Sequence, residues 1–369
     1  MGTDFQRDVH CLLGLPFDAV AMPDAIRIVH GAAERRAPCF VSTPNVNFLI
    51  GCLEDRQFRL SVLNSDLSIA DGMPLVWIAR ILGVPIRERV AGSDLFLRLG
   101  RGMQRPLRVY FFGGKDGVAE AACRALNASG RGLLCAGFDT PGFGSIEEMS
   151  LPEQIASIND SGADFLVVSL SAKKGQAWIE HNRTRITVPV ISHLGAVLNF
   201  VAGTVSRAPL WMQKTGLEWL WRIKEEPALW RRYFFEGLTL GRLLFTRVLP
   251  LALQSRCGKE GAGDSAGAVL EEHDAPGGRV IVLRGRWTSS NIDRLRFALA
   301  RAAAAGGAVT VNMREVTGIG SAALGSLLLL HGHQAAAGSE LCLQEVPVPV
   351  RRTIRYCCAE FLLQPGAPA

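Results

Sequence analysis

LRVYFFGGKDGVAEAACRAL, residues 107–126, decides the fold. LRVYFF reads as a buried strand, the two glycines end it, and DGVAEAACRAL reads as a helix. The same alternation runs outward in both directions. Towards the N-terminus, FVSTPNVNFL (40–49) starts as a strand edge, and DRQFRLSVLNSD (55–66) is helical. LSIADG (67–72) is a short strand closed by a turn, and MPLVWIARILG (73–83) is helical again. Towards the C-terminus, ADFLVVSLS (163–171) and VPVISHLGA (188–196) are further apolar strands. Strands alternating with helices predict an α/β fold, a Rossmann-like and mainly parallel sheet with helices on both faces. In such sheets ligands sit beyond the carboxyl ends of the strands.

Past residue 253 the pattern breaks. Residues 254–275 are rich in Gly, Ala and acidic residues and read as a linker. Then VIVLRGRW, NIDRLRFALARAAAAG, AVTVNMREV, AALGSLLLLHGHQAAAG, ELCLQEV and PVRRTIRYCCAEFL alternate strand and helix, predicting a second, small α/β domain over 276–369. The chain of 369 residues thus divides into a larger domain, 1–253, a linker and a smaller domain.

Composition narrows the class. Apolar residues make up 48% and charged residues 20%, so the chain can bury a core. Lys+Arg 40 against Asp+Glu 34 is too small an excess to argue for nucleic acid. The nine cysteines are scattered, with no CxxC, which excludes a disulfide scaffold or zinc ribbon and fits a reducing cytosol. The N-terminal apolar run is short and broken by Pro16, so no signal peptide is expected. No uncharged apolar stretch reaches about 18 residues, so no transmembrane helix is expected.

Three segments carry chemistry. Residues 207–256 hold nine Lys or Arg, among them Arg207, Arg222 and Arg232, against four Glu, and also Trp211, Trp219, Trp221 and Trp230. Such a basic, Trp-rich helical stretch suits an anionic membrane interface or a diphosphate, and equally a packing helix with a solvated face. Asp71 ends a short strand before Gly72 and Pro74, where a general base is useful and where a helix N-cap is also favoured. Gly113, Gly114 and Gly117 lie between strand and helix, where backbone N–H groups approach a phosphate or simply make a turn. The spacing is not GxGxxG, so a nicotinamide-dependent oxidoreductase is only weakly suggested. No DxD, metal-ligand spacing or GxSxG is present, and neither a metal nor a cofactor is expected.

Together these segments resemble the WecG/TagA/CpsF glycosyltransferases over about residues 10–250. GAVLNFVAGTVSRAPLWMQKTGLEWLWRIKEEPALWRR carries the strongest likeness, with Thr43-Pro44-Asn45, Asp71-Gly72 and Glu88-Arg89-Val90-Ala91-Gly92 as further elements. The resemblance implies an inverting, metal-independent transfer from a UDP-sugar, typically UDP-N-acetylmannosamine, to a polyprenyl-diphosphate-linked sugar in cell-surface polysaccharide synthesis. It implies Asp71 as general base, Thr43 and Asn45 beside it, Arg89 on substrate, and Arg222 and Arg232 closing over the diphosphate. Gly113, Gly114, Lys174, Gln176 and Arg207 are further candidates for substrate contact. The family's G-x-P-K-Q-E-x-W box is altered here: Lys174 and Trp178 keep their places, but Gly175 stands at the Gln position and Gln176 at the Glu position. The same likeness implies a cytoplasmic protein, peripheral at the inner face of the cell membrane, in a family that tends to form homo-oligomers. Residues from about 276 to 365 resemble a STAS domain, with Ser321 at the family's phosphorylated position but Gly320 in place of its Asp. That likeness implies a protein partner, and an alternative in which the chain only senses a nucleotide sugar and signals through this domain.

Overall fold

The computed structural model describes residues 2–103, 105–142, 144–257 and 267–364. The chain opens with a hairpin, β1 (Val9–Leu12) and β2 (Leu15–Asp18), followed by α1 (Met22–Arg35), β3 (Cys39–Ser42), α2 (Val46–Glu54), α3 (Arg56–Leu63) and β4 (Leu67–Ser68). Next come α4 (Met73–Leu82), α5 (Gly92–Leu99), β5 (Leu107–Gly113), α6 (Val118–Ser129), β6 (Leu133–Asp139), α7 (Pro152–Asp160), β7 (Phe165–Ser169), α8 (Ala172–Asn182) and β8 (Val190–His193). β3 to β8 form one six-stranded sheet in the order β4-β3-β8-β7-β5-β6, every pair parallel. The near-continuous apolar runs read in the sequence are what a parallel sheet covered on both faces requires. Phe111, Val167 and Val190 are buried on one face; Phe112, Leu166 and Ile191 are buried on the other.

Seven helical segments follow β8 among the described residues: α9 (Val197–Ala202), α10 (Leu210–Lys214), α11 (Glu218–Glu225), a 3-10 turn at Pro227–Leu229, α12 (Trp230–Leu243), a π-turn at Leu244–Val248 and α13 (Leu249–Cys257). This is the helical appendage expected from the basic, Trp-rich stretch. α11 and α12 bury none of their residues fully.

The smaller unit holds β9 (Val269–Ala275), β10 (Gly278–Trp287), α14 (Ile292–Ala305), β11 (Ala308–Ile319), α15 (Ser321–Ala336), β12 (Leu341–Gln344) and α16 (Val348–Tyr356). Its sheet order is β12-β11-β10-β9, with only the β9 pairing antiparallel. β9 falls inside the stretch expected to be linker. It is an edge strand whose Glu271 and Glu272 pair with Arg284 and Arg301, and charged edges are how sheets avoid further pairing. Acidic side chains therefore hid a strand. Residues 258–266 of the expected linker lie outside the described residues.

The two units are not beads on a string. α15 is buried almost all round, and one face lies on the hairpin and on α3. Two glycines allow that approach: a Cβ at Gly325 would stand 2.6 Å from the Val9 carbonyl oxygen, and one at Gly332 would stand 2.9 Å from the Leu63 Cβ. Ser321, the candidate phosphorylation site, opens α15 at this seam, its hydroxyl 2.9 Å from His10 Nδ1. Arg296 pairs with Asp8 and Arg247 with Glu360, and one apolar core runs through both units.

Cys123 on α6 and Cys135 on β6 are joined as a disulfide, a pairing that the scattered spacing did not signal. Cys11, Cys39, Cys52, Cys342, Cys357 and Cys358 are free. No helix of the described residues is long and apolar enough to cross a membrane.

Candidate active site

A cavity of about 680 Å³ opens beyond the carboxyl ends of the sheet strands, within the size range of small-molecule sites. Thr43 follows β3, Asp71 follows β4, Leu170 and Ser171 follow β7, and His193 ends β8. The appendage supplies the facing wall: Glu218, Trp219, Arg222, Arg232, Tyr233 and Glu236.

Asp71 does not cap the helix it precedes; Gly72 is the N-cap of α4. Its Oδ2 accepts a hydrogen bond from the Gly92 N–H, the first residue of α5, at 3.1 Å. Among the described residues no protein donor meets Oδ1. Burial raises the Asp71 pKa to about 6, against the opposing pull of Arg89 and the Gly92 N–H; Glu218 and Asp94 push it the same way as burial. A carboxyl titrating there is matched to proton transfer near neutral pH. Gly92 is needed for this arrangement, since a Cβ would stand 3.0 Å from Thr43 Cγ2 and overlap Leu194.

Asn45 lines the cavity and also caps α2, its Oδ1 accepting from the Phe48 N–H at 3.1 Å. In the Glu88-Arg89 element the two side chains part. Glu88 accepts from the Met22 N–H that opens α1, and Arg89 turns into the cavity. Arg89 donates to Glu218 at 2.5 Å and to Asp94 at 3.1 Å. Arg222 donates to Glu226 at 2.8 Å, while its buried Nε has no hydrogen-bond partner among the described residues. Arg232 sits 3.3 Å from Glu236, which also accepts from Asn47 Nδ2 at 2.8 Å.

The structure thus gathers Asp71, Thr43, Asn45, Arg89, Arg222 and Arg232 around one cavity, and leaves the other candidates outside its wall. Gly113 and Gly114 have φ of +97° and +91°, and the chain packs there against the Ser169 carbonyl and Leu198, so the glycines serve the turn itself. Lys174 Nζ donates to the Gly144 carbonyl. Gln176 is wholly buried below the strand ends, its Oε1 3.5 Å from Ser42 Oγ. Arg207 donates to Asp94 and Ser93, one layer behind Arg89. These five support the site instead of lining it.

Sequence reading missed Glu218, Glu236, Tyr233 and His193. Glu218 was visible in the quoted GLEW. His193 ends an apolar strand and gave no signal; its ring is buried, its Nε2–H donates to the Leu170 carbonyl at 2.8 Å, and burial lowers its pKa. The ring also fills the space beside Gly175, where a Cβ would overlap it. Among the described residues no three His, Cys, Asp or Glu side chains form a group able to hold a metal ion.

A carboxyl of raised pKa facing guanidiniums across a parallel-sheet cavity suits group transfer. Residues 10–252 match the glycosyl transferase WecG/TagA/CpsF family, and residues 272–361 match the Mlab, STAS domain. The chain belongs to the WecG/TagA/CpsF family and is a glycosyltransferase with a C-terminal STAS domain. It is 26% identical over 194 residues to the N-acetylglucosaminyldiphosphoundecaprenol N-acetyl-beta-D-mannosaminyltransferase of Bacillus spizizenii, covering 52% of this chain and 74% of that protein. It is 25% identical over 201 residues to the protein of the same name from Bacillus subtilis, covering 54% and 76%.

Proposed function

We propose that this chain transfers an N-acetylmannosamine-like sugar from a UDP-sugar to a polyprenyl-diphosphate-linked sugar, with inversion at the anomeric carbon and without a metal ion. The names of the two Bacillus relatives support the sugar and the acceptor. The observation that carries the mechanism is the single cavity in which Asp71 faces Arg89, Arg222 and Arg232.

Asp71 Oδ1 takes the proton from the acceptor hydroxyl as its oxygen attacks the anomeric carbon. The bond to the UDP oxygen breaks on the opposite side. The leaving diphosphate gains negative charge, which Arg222 and Arg232 would meet; the Arg222 Nε, without a hydrogen-bond partner among the described residues, supports this reading. Thr43 and Asn45 border the acceptor side of Asp71. Fixed guanidiniums supply the charge that other sugar transferases draw from a divalent ion.

The lipid-linked acceptor requires a membrane surface. Phe234, Phe235, Leu238, Phe245 and Leu253 each expose 60% or more of their surface on α12, the π-turn and α13. Arg231 and Arg242 lie among them, which suits the inner, anionic face of a cell membrane.

The test is transfer from UDP-N-acetylmannosamine to a short-chain polyprenyl-diphosphate-N-acetylglucosamine in excess EDTA. Product of inverted configuration is expected, and kcat/KM is expected to fall as the pH drops through about 6, because protonated Asp71 cannot accept the hydroxyl proton. Loss of activity in EDTA that a divalent ion restores would contradict the metal-free mechanism.

A further inference from the structure

The turn that enters the appendage packs against α4, the helix that follows Asp71. Gly216 has φ of +75°, and a Cβ there would stand 2.9 Å from the Met73 Cβ and 3.0 Å from the Trp77 ring. Met73 opens α4, two residues after Asp71. Two residues beyond Gly216, Glu218 opens α11 and accepts the Arg89 hydrogen bond at 2.5 Å. Arg89, with 12% of its side chain exposed, therefore stands among three carboxylates: Asp71, Asp94 and Glu218. Only Glu218 comes from the appendage.

We propose that Glu218 is a positioning residue for the transfer: its ion pair with Arg89 couples docking of the arginine-bearing appendage to the basicity of Asp71. This rests on the reading of Asp71 as the base. With the appendage docked, Glu218 neutralises Arg89 and adds a like charge near Asp71, and both effects hold the proton affinity of Asp71 up. With the appendage lifted, Arg89 turns its full charge on Asp71 and weakens the base. Asp71 is then most basic only when Arg222 and Arg232 are over the cavity to receive the leaving group. The charged and titratable groups facing Asp71 are Arg89, Asp94 and Glu218, with Arg222, Arg232, Tyr233, Glu236 and His193 across the cavity.

The experiment is the pH profile of kcat/KM for the full chain and for Glu218→Gln and Glu218→Asp, with UDP-N-acetylmannosamine and the short-chain acceptor. Glu218→Gln is expected to move the acid limb down by about half a pH unit and to lower the plateau by about two- to threefold, as a weaker base requires. Glu218→Asp is expected to restore most of both. An acid limb that stays in place in Glu218→Gln, or a pH-independent loss that Asp does not rescue, overturns the role. Should Glu218→Gln fail to fold by thermal melting, Gly216→Ala lifts the same turn while keeping the carboxylate. It is expected to lower the limb too, and an unmoved limb there overturns the role. An inactive wild-type chain contradicts the transferase reading; an active one with an unmoved limb contradicts Glu218 alone.

Discussion

Asp71→Asn is expected to lower kcat by roughly a thousandfold, because general-base catalysis contributes about 10²–10⁴. The substitution keeps the size of the side chain, and its amide oxygen still accepts from the Gly92 N–H. Fold and donor binding should therefore persist. Removing a carboxyl whose burial is unfavourable to its charge costs the fold little. A thermal melt and a donor titration on the same preparation separate loss of the base from loss of structure. Wild-type turnover by Asp71→Asn would remove Asp71 from the chemistry.

The second large effect is expected from the pair Arg222→Gln and Arg232→Gln. Groups that stabilise charge only as it develops in the transition state are worth about 10²–10³ each in kcat. Both arginines already have a carboxylate beside them, Glu226 and Glu236, so their charges are held in place before substrate arrives. The double variant should lose at least about a hundredfold in kcat, with a smaller change in donor KM, since the diphosphate charge grows as the bond breaks. A change confined to KM would make these arginines ground-state binders.

Most of the sheet was legible because parallel strands buried on both faces are apolar throughout, as in FLVVS at Phe165–Ser169. The position of Asp71 at the cavity was legible from its place at a strand end. Other features depend on contacts that no local pattern encodes. The hairpin β1–β2 is two four-residue strands around Leu13-Gly14, both at positive φ; Pro16 and brevity disguised it, and α15, α3 and β4 give it the surface it lies on. The LLLL run of α15 carried a hint, since a helix that is apolar all round must be covered all round. Gly113 and Gly114 misled for a related reason. Positive φ and close backbone approach suit a phosphate turn and a packed turn equally, and Ser169 and Leu198 occupy the space. Lys174 kept its motif position and Gln176 stands one place past the family's Gln, yet their side chains are claimed by the Gly144 carbonyl and by the buried layer under Ser42.

Sugar transfer in the cavity between Asp71 and the appendage arginines requires the nucleotide to bind there. The most direct measurement is a crystal structure of the full chain with UDP. Diphosphate oxygens are expected within hydrogen-bonding distance of the Arg222 or Arg232 guanidinium, with room for a sugar between them and Asp71. UDP seated elsewhere, such as on the Gly113–Gly117 turn with both arginines still on their glutamates, would contradict it.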